Sequence, residues 1–446
     1  MSSRVALVSA VDPYPMDAGK KVVLAGILEY LIERVGRDNV HYVMVGGEAR
    51  PGFPVRLHPV AKPRPLAAVG SALARTGTGR ASLQESLLGT RAVRREIHRT
   101  LDLLAPATEI YDTVRMAQHA PERVATKQIC YLDDLFSERY GSMLSAARRF
   151  PDVNVQPLGN FAAHVPQVLR PLAEHPVGQR GLLLLEQRLV RRSEDRTADR
   201  FDATLLINEQ EAGRLRQRCG TAPGRIRAIP PLLVPRHPQQ RREYRGASEF
   251  VFLGQLSLPH NDDGLRDFLR RVWPLVLAAR PDARLRVVGR HPLPPLRKLI
   301  EQNAGSVTLE GFVPDLSGLF SGTAALINPL RFGSGVKLKV IEALGAGLPV
   351  VSTGVGADGV DTGSDKGVLV SDDAAGLAEL LLSVTDTGCN RRLSAAAAEH
   401  FRARYSREAV FACYDAAFAL EGASHRRHVP AVRPHTRDAV ELKLTP

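Results

Sequence analysis

The sequence predicts an α/β protein made of two consecutive parallel-sheet domains. Three observations predict it. Short apolar runs alternate with stretches of helical period, the pattern of strand–helix–strand units whose strands are buried on both faces. The alternation breaks at residues 230–247, PPLLVPRHPQQRREYRGA, which are proline-rich, basic and aperiodic, and then resumes. At 446 residues the chain exceeds one ordinary core, and its 5% aromatic content, with Trp273 the single tryptophan, suits aliphatic α/β layers.

In the first series, residues 4–10 read as a strand, 12–21 as a loop carrying Gly19, Lys20 and Lys21, and 22–35 as a helix. A second strand spans 40–45. Residues 61–80, basic and rich in small side chains, read as a mobile or acceptor-side segment. One helix is expected over 82–104, crowded with Arg91, Arg94, Arg95, His98 and Arg99. Such a cluster is usually a solvated face, and it also suits an anionic acceptor or lipid headgroups. Strands follow at 108–111 and 128–132. The second ends in Asp133-Asp134, carboxylates that serve either as helix N-caps or as site residues at a strand's C-terminal end. Residues 145–180 read as a proline-rich insertion, 181–197 as a helix, 201–207 as a strand, Asn208 onward as a helix, and 226–229 as a strand.

The second series runs strand 249–254, helix 261–279, strand 285–289, helix 296–303 and strand 307–311. Its centre is residues 324–353, AALINPLRFGSGVKLKVIEALGAGLPVVST. This reads as a strand, a Gly333-Ser334-Gly335 turn, a helix from near Val336, and a strand after Pro349. Free N–H groups at the start of that helix are suited to a phosphate. Its apolar positions run nearly all round, so the Glu342 carboxylate would be costly without a partner. That partner is either a ligand hydroxyl or Lys339, three residues back. A strand at 367–370 and helices at 373–385, 391–404 and 407–420 complete the series. The last helix carries Val410, Phe411, Tyr414 and Phe418 at helical spacing.

The segment GSGVKLKVIEALGAGLPVVST resembles the donor-site signature of retaining glycosyltransferases of the GT-B fold, the group called family four. It looks most like the bacterial polysaccharide-associated sugar transferases. FLGQLSLPHNDDGLRDFLRRVWPLV, the Pro13-Tyr14-Pro15 loop leading to Gly19-Lys20-Lys21, and Asp133-Asp134-Leu135 with Ser137, Arg139 and Tyr140 are similar to the same subgroup. The resemblance implies two Rossmann-like domains facing each other across a cleft. It assigns residues 1–232 to the acceptor side, 233–248 to a linker and 249–405 to nucleotide-sugar binding. Residues 406–421 become a helix packing back on the first domain, and 422–446 a flexible basic tail. The implied reaction moves a sugar, with retention, from a nucleotide-diphosphate-sugar to a glycan, lipid-linked or small-molecule acceptor, in bacterial polysaccharide or glycoconjugate synthesis.

By the same resemblance, Gly19 and Lys20 form a phosphate-facing loop, and Gly311, Phe312 and Val313 line the base. Arg331, Gly335, Val336 and Lys337 hold the diphosphate, and Glu342 holds the ribose. Asp133 and Asp134 lie on the acceptor side. Two departures stand out. The usual signature has two glutamates, and Ser334 stands where the first, near the transferred sugar, belongs. Gln255, Leu256 and Ser257 replace the usual arginine and lysine after Gly254, which leaves the diphosphate to Lys337 and Lys339. The donor is a substrate, so no cofactor is expected. Nor is a metal, because Asp133-Asp134 and Asp262-Asp263 lack the DxD spacing. A sugar-nucleotide epimerase and a non-catalytic nucleotide or glycan binder share this architecture.

The formal net charge of +13 suits nucleic acid, an anionic membrane surface or phosphorylated substrates. Nucleic acid is set aside because aromatic side chains are not interleaved with the basic clusters. Cys130, Cys219, Cys389 and Cys413 lack metal-site spacing, which points to a reducing compartment. No apolar run approaches the ~20 residues of a membrane span, and the opening MSSRVALVSAVDPYP lacks a signal pattern. The expected location is cytoplasmic, with peripheral attachment at the membrane's inner face left open.

Overall fold

Two separate parallel sheets carry the chain in a computed structural model that describes residues 4–122, 126–149, 176–220, 224–233 and 244–420. The first contains β1 (Val5–Ser9), β2 (Val40–Val45), β3 (Arg56–Val60), β4 (Thr108–Asp112), β5 (Lys127–Asp133), β6 (Ala203–Leu206) and β7 (Ile226–Ala228), in the order β3-β2-β1-β4-β5-β6-β7. The second contains β8 (Glu249–Leu253), β9 (Arg284–Val288), β10 (Val307–Gly311), β11 (Ala325–Asn328), β12 (Val350–Ser352) and β13 (Val368–Val370), in the order β10-β9-β8-β11-β12-β13.

The helices around the first sheet are α1 (Gly19–Val35), α2 (Pro65–Arg75), α3 (Leu83–Leu88), α4 (Arg91–Leu104), α5 (Thr113–Ala117), α6 (Phe136–Arg149), α7 (Pro176–Arg200) and α8 (Glu209–Cys219). The second series has α9 (Pro259–Arg271), α10 (Trp273–Ala279), α11 (Pro294–Gln302), α12 (Ser317–Gly322), α13 (Leu338–Gly345), α14 (Ala374–Ser383), α15 (Thr387–Arg404) and α16 (Arg407–Phe418). Helices cover both faces of each sheet, so the central strands lose the in–out alternation of a one-sided sheet. Every residue of β1, β2 and β11 is buried.

Several expectations need correction. Residues 61–80, expected as a mobile or acceptor-side segment, hold a helix, α2, and Pro65 occupies its first turn, where the missing N–H costs nothing. The single helix expected over 82–104 is two, because Gly89 ends α3 and the Thr90 hydroxyl caps α4. The helix expected over 261–279 also divides, at Val272, where Pro274 enters the first turn of α10. The helix expected from Val336 begins at Leu338, because Lys337 is extended. Residues 150–175, 234–243 and the expected tail lie outside the described residues.

The last helix crosses back to the first sheet. On α16, Phe411, Tyr414 and Phe418 pack their rings 5.2–5.5 Å from that of Tyr30 on α1. Arg34 pairs with Asp415 at 2.7 Å, and Arg407 reaches Glu29 and Glu33. Val410, Phe411, Tyr414 and Phe418 thereby share one core with β1 and β2.

Candidate active site

In each sheet the strand order reverses once, between β1 and β4 and between β8 and β11. Helices leave to opposite faces there, opening a crevice beyond the strands' C-terminal ends. The two reversals meet. A Cβ placed on Gly19, at the start of α1, would lie 3.3 Å from Leu338 Cδ1, at the start of α13.

The second sheet contributes the loop between β11 and α13. Gly333 (φ 135°) and Gly335 (φ 73°) adopt backbone conformations that side chains resist, which lets the chain fold tightly before the helix. Lys337, 9% exposed, turns back so that Nζ donates to the carbonyls of Ser334 (2.9 Å) and Gly335 (2.5 Å). Lys339 donates to the Leu253 carbonyl at the end of β8 (2.8 Å) and to Asn261 Oδ1 (3.1 Å). It also sits 4.4 Å from the centre of the Phe252 ring. These acceptors are all neutral. Burial lowers the Lys337 ammonium to about 8, against the nearby Asp358 and Asp134 charges. Burial, and then the Lys337 charge, lowers Lys339 to about 7. His260 lies among them, held neutral at about 3 by burial and then by the charges of Lys339 and Lys337.

The first sheet supplies the opposite wall. Asp134 is 2% exposed. Its Oδ2 accepts hydrogen bonds from Arg139 Nε (3.0 Å) and from the Ser334 hydroxyl (3.3 Å), across the crevice. Its Oδ1 is buried and lacks a hydrogen bond among the described residues. Ser142 Oγ donates to the Gly333 carbonyl (3.2 Å), and Asn208 Nδ2 to Asp358 Oδ1 (3.2 Å). Glu211, which accepts from the Leu135 N–H at 3.0 Å, is pushed up to about 8 by burial and then by Asp134. Deeper in the crevice, Lys20 Nζ lies 2.5 Å from Asp112 and 3.4 Å from Asp133. Ser9 Oγ donates to Asp112 (2.7 Å), and the Tyr131 hydroxyl donates to Asp133 (2.7 Å). Thr113 (φ 66°) and Asp133 (φ 73°) are both left-handed, at the ends of adjacent strands. Such strain is costly and tends to gather at functional sites.

The structure thus brings Gly19, Lys20, Asp133, Asp134, Ser334, Gly335, Val336 and Lys337 around one crevice. Three expectations fare differently. Glu342 is exposed, so the argument from the cost of a buried carboxylate fails: it stands on the solvent side of α13. Arg331 is paired with carboxylates, Nε 2.8 Å from Asp263 and Nη1 3.1 Å from Asp267, which the sequence did not foresee. Gly311 ends β10, the sheet's edge strand, and Phe312 and Val313 follow it, where Arg290 lies 4.0 Å from the centre of the half-exposed Phe312 ring. Sequence reasoning missed Asp112, Arg139, Asn208, Glu211, His260 and Asp358. The available signal was position: Asp112 ends β4 and Asn208 follows β6, as Asp133 ends β5.

Residues 247–386 match the family described as glycosyl transferases group 1. An uncharacterized 44.6 kDa protein in the cps region of Klebsiella pneumoniae is 30% identical over 129 residues, which are 28% of this chain and 33% of that relative. The chain therefore spans a third of the length of the curated relative it matches. Among solved structures, a mutant of S. aureus TarM in complex with fondaparinux, alpha-GlcNAc-glycerol and UDP superposes with a TM-score of 0.60 at 8% identity, covering 94% of this chain and 100% of TarM. Anabaena HepE in complex with UDP gives 0.56 at 11% identity, over 94% and 99%. The fold is GT-B, two parallel-sheet α/β halves around a crevice.

Proposed function

We propose that the chain is a retaining glycosyltransferase. It takes a sugar from a nucleotide-diphosphate donor and passes it to a glycan, lipid-linked or small-molecule acceptor in polysaccharide or glycoconjugate synthesis. The observation that carries this reading is the pair Lys337 and Lys339, two desolvated lysines whose hydrogen bonds among the described residues all go to neutral oxygens. Cations in that condition favour an arriving anion, and a diphosphate brings the charge and the acceptor oxygens they lack. TarM and HepE, solved with UDP, support a nucleotide donor. The cps-region relative supports the polysaccharide setting.

In this reading Glu342 accepts hydrogen bonds from the ribose hydroxyls. Lys337 and Lys339 bind the diphosphate and stabilise the charge that grows on it as the bond from the sugar's anomeric carbon to the phosphate oxygen breaks. The acceptor oxygen bonds to that carbon on the face the phosphate leaves, and its proton passes to the leaving phosphate. Asp134 supplies, from the other half, the carboxylate missing at Ser334. Its unpartnered Oδ1 accepts a hydroxyl of the transferred sugar. Asp133, oriented by Lys20 and Tyr131, faces the acceptor.

The test is release of nucleotide diphosphate from a panel of sugar nucleotides, with and without a lipid-linked glycan acceptor. Acceptor-dependent release, with the anomeric configuration kept by NMR, is expected. Release of free epimerised sugar without acceptor would replace the reading with an epimerase, and an inverted product would remove retention.

A further inference from the structure

His260 lies in the first turn of α9. Its ring meets that of Phe332 edge-on, the centres 6.5 Å apart and the planes at 90°. Phe332 is buried and leads into the glycine loop that carries Lys337, so the contact sets the imidazole against that loop. Beside it, Asn261 Oδ1 accepts from Lys339 (3.1 Å). From the opposite half Arg139 reaches the same loop, with Nε 3.2 Å from the Ser334 hydroxyl. After burial, the charges of Lys339, Lys337 and Arg139 are what hold the ring neutral, at about 3.

The ring nitrogens make no hydrogen bond among the described residues, and His260 keeps partial exposure. A neutral imidazole has one N–H donor and one acceptor nitrogen to place. The cations around it donate elsewhere, Lys337 to its own loop, Lys339 to Leu253 and Asn261, and Arg139 to Asp134. A ring kept only for its packing on Phe332 gains nothing from three such neighbours, which penalise its charged form. An anion seated among them reverses the balance. It offsets the charges that hold the ring neutral and brings acceptor oxygens, so the ring gains a proton and a partner together.

We infer that His260 is a further donor-binding residue of the crevice, its imidazole donating a hydrogen bond to a phosphate oxygen of the diphosphate held by Lys337 and Lys339. The inference rests on the transferase reading for the nature of the anion. It uses none of the roles given to Glu342, Asp133 or Asp134.

Titration calorimetry with UDP-glucose and GDP-mannose tests it, because the diphosphate of a sugar nucleotide is esterified at both ends and keeps its charge between about pH 5.5 and 7. Affinity for whichever donor binds should rise as the pH falls. With a free value of about 3 and a bound value restored to the ordinary ~6.5, His260 contributes ~8-fold over that range. The two lysines, already half charged or more at pH 7, add only ~2-fold. His260→Ala should lose most of the rise. His260→Gln, which keeps an N–H donor and takes no proton, should recover part of the affinity at pH 7 and none of the rise; it carries the test should the alanine variant fail to fold. Affinity for the matching nucleoside should stay unchanged in both. A folded variant that keeps the natural acid slope overturns the inference and leaves the transferase reading standing. Equal losses for donor and nucleoside also overturn it, making the ring a packing residue. Binding of neither donor by the natural protein removes the reading and the inference together.

Discussion

Nucleotide affinity should fall steeply as pH rises above neutrality, and the two lysines set the size of the effect. In the free protein, burial holds Lys339 at about 7 and Lys337 at about 8. A bound diphosphate favours the charged ammonium and raises both values. Between the free and bound values the complex therefore holds protons that the free protein has released, so binding takes up protons and weakens as pH climbs. The phosphate's own second ionisation lies near 6, which leaves the ligand's charge steady above pH 7. With a free value of about 7 and a bound value restored to the ordinary lysine ~10.4, Lys339 alone reduces affinity ~5-fold from pH 7 to 8 and ~50-fold by pH 9. Lys337 adds roughly another tenfold by pH 9. Isothermal titration of UDP across this range measures the slope, and buffers of different ionisation enthalpy count the protons. Lys339→Met keeps the apolar stem and should lose most of the dependence. Affinity that stays flat from pH 7 to 9, or an unchanged slope in Lys339→Met, would refute the reasoning.

Glu342→Gln keeps shape and removes charge at an exposed position, so UDP affinity should drop by ~1–3 kcal/mol with the fold intact; unchanged affinity removes the ribose role. Asp134→Asn should lower turnover ~100-fold or more while leaving UDP affinity nearly unchanged, and adding Ser334→Glu should restore part of it, since the Ser334 hydroxyl lies 3.3 Å from Asp134 Oδ2. Wild-type turnover in Asp134→Asn takes that carboxylate out of the reaction. Ending the chain at residue 405 should lower both stability and activity, because it strips the aromatic contacts from Tyr30; ending it at 421 should leave melting temperature and turnover close to those of the full chain. Normal turnover by the chain ending at 405 would show that α16 does not brace the two halves.

The two sheets were legible because buried parallel strands announce themselves as apolar runs between helical stretches. The loop before α13 was legible because its two left-handed positions carry Gly333 and Gly335, the residue type such backbone prefers. Helix breaks were less so. Thr90 and Pro274 restart helices inside apolar periods that run on unbroken, and periodicity alone does not see the interruption. Glu342 was picked out for a wrong reason: its neighbours in sequence are apolar, yet its own place on α13 faces solvent. Arg331 fits a phosphate-binding pattern locally, and only the fold shows Asp263 and Asp267 beside it. The far wall was legible only at Asp133 and Asp134, for a plainer reason. Asp134, Arg139, Asn208 and Glu211 meet Ser334, Lys337 and Asp358 only when the halves close, and no local pattern encodes a contact over 150 to 200 residues.

That closure also explains how so many charges coexist there. Asp134 and Asp358 are both close enough to Glu211 to raise it, and three carboxylates in one dry corner would repel. With Glu211 pushed up to about 8 it holds its proton at neutral pH, which leaves two negative charges facing Arg139 and Lys337. Lys337 meanwhile satisfies its protons on the carbonyls of its own loop, an arrangement a diphosphate can replace without moving the helix. Two contacts across the crevice, Ser334 on Asp134 and Ser142 on Gly333, fix the glycine loop from the opposite half. On the proposed reading, the lysines of the second half therefore meet a donor in a position set by the first. The crevice draws its charges from both halves, Asp134, Arg139 and Glu211 from the first and Lys337 and Asp358 from the second.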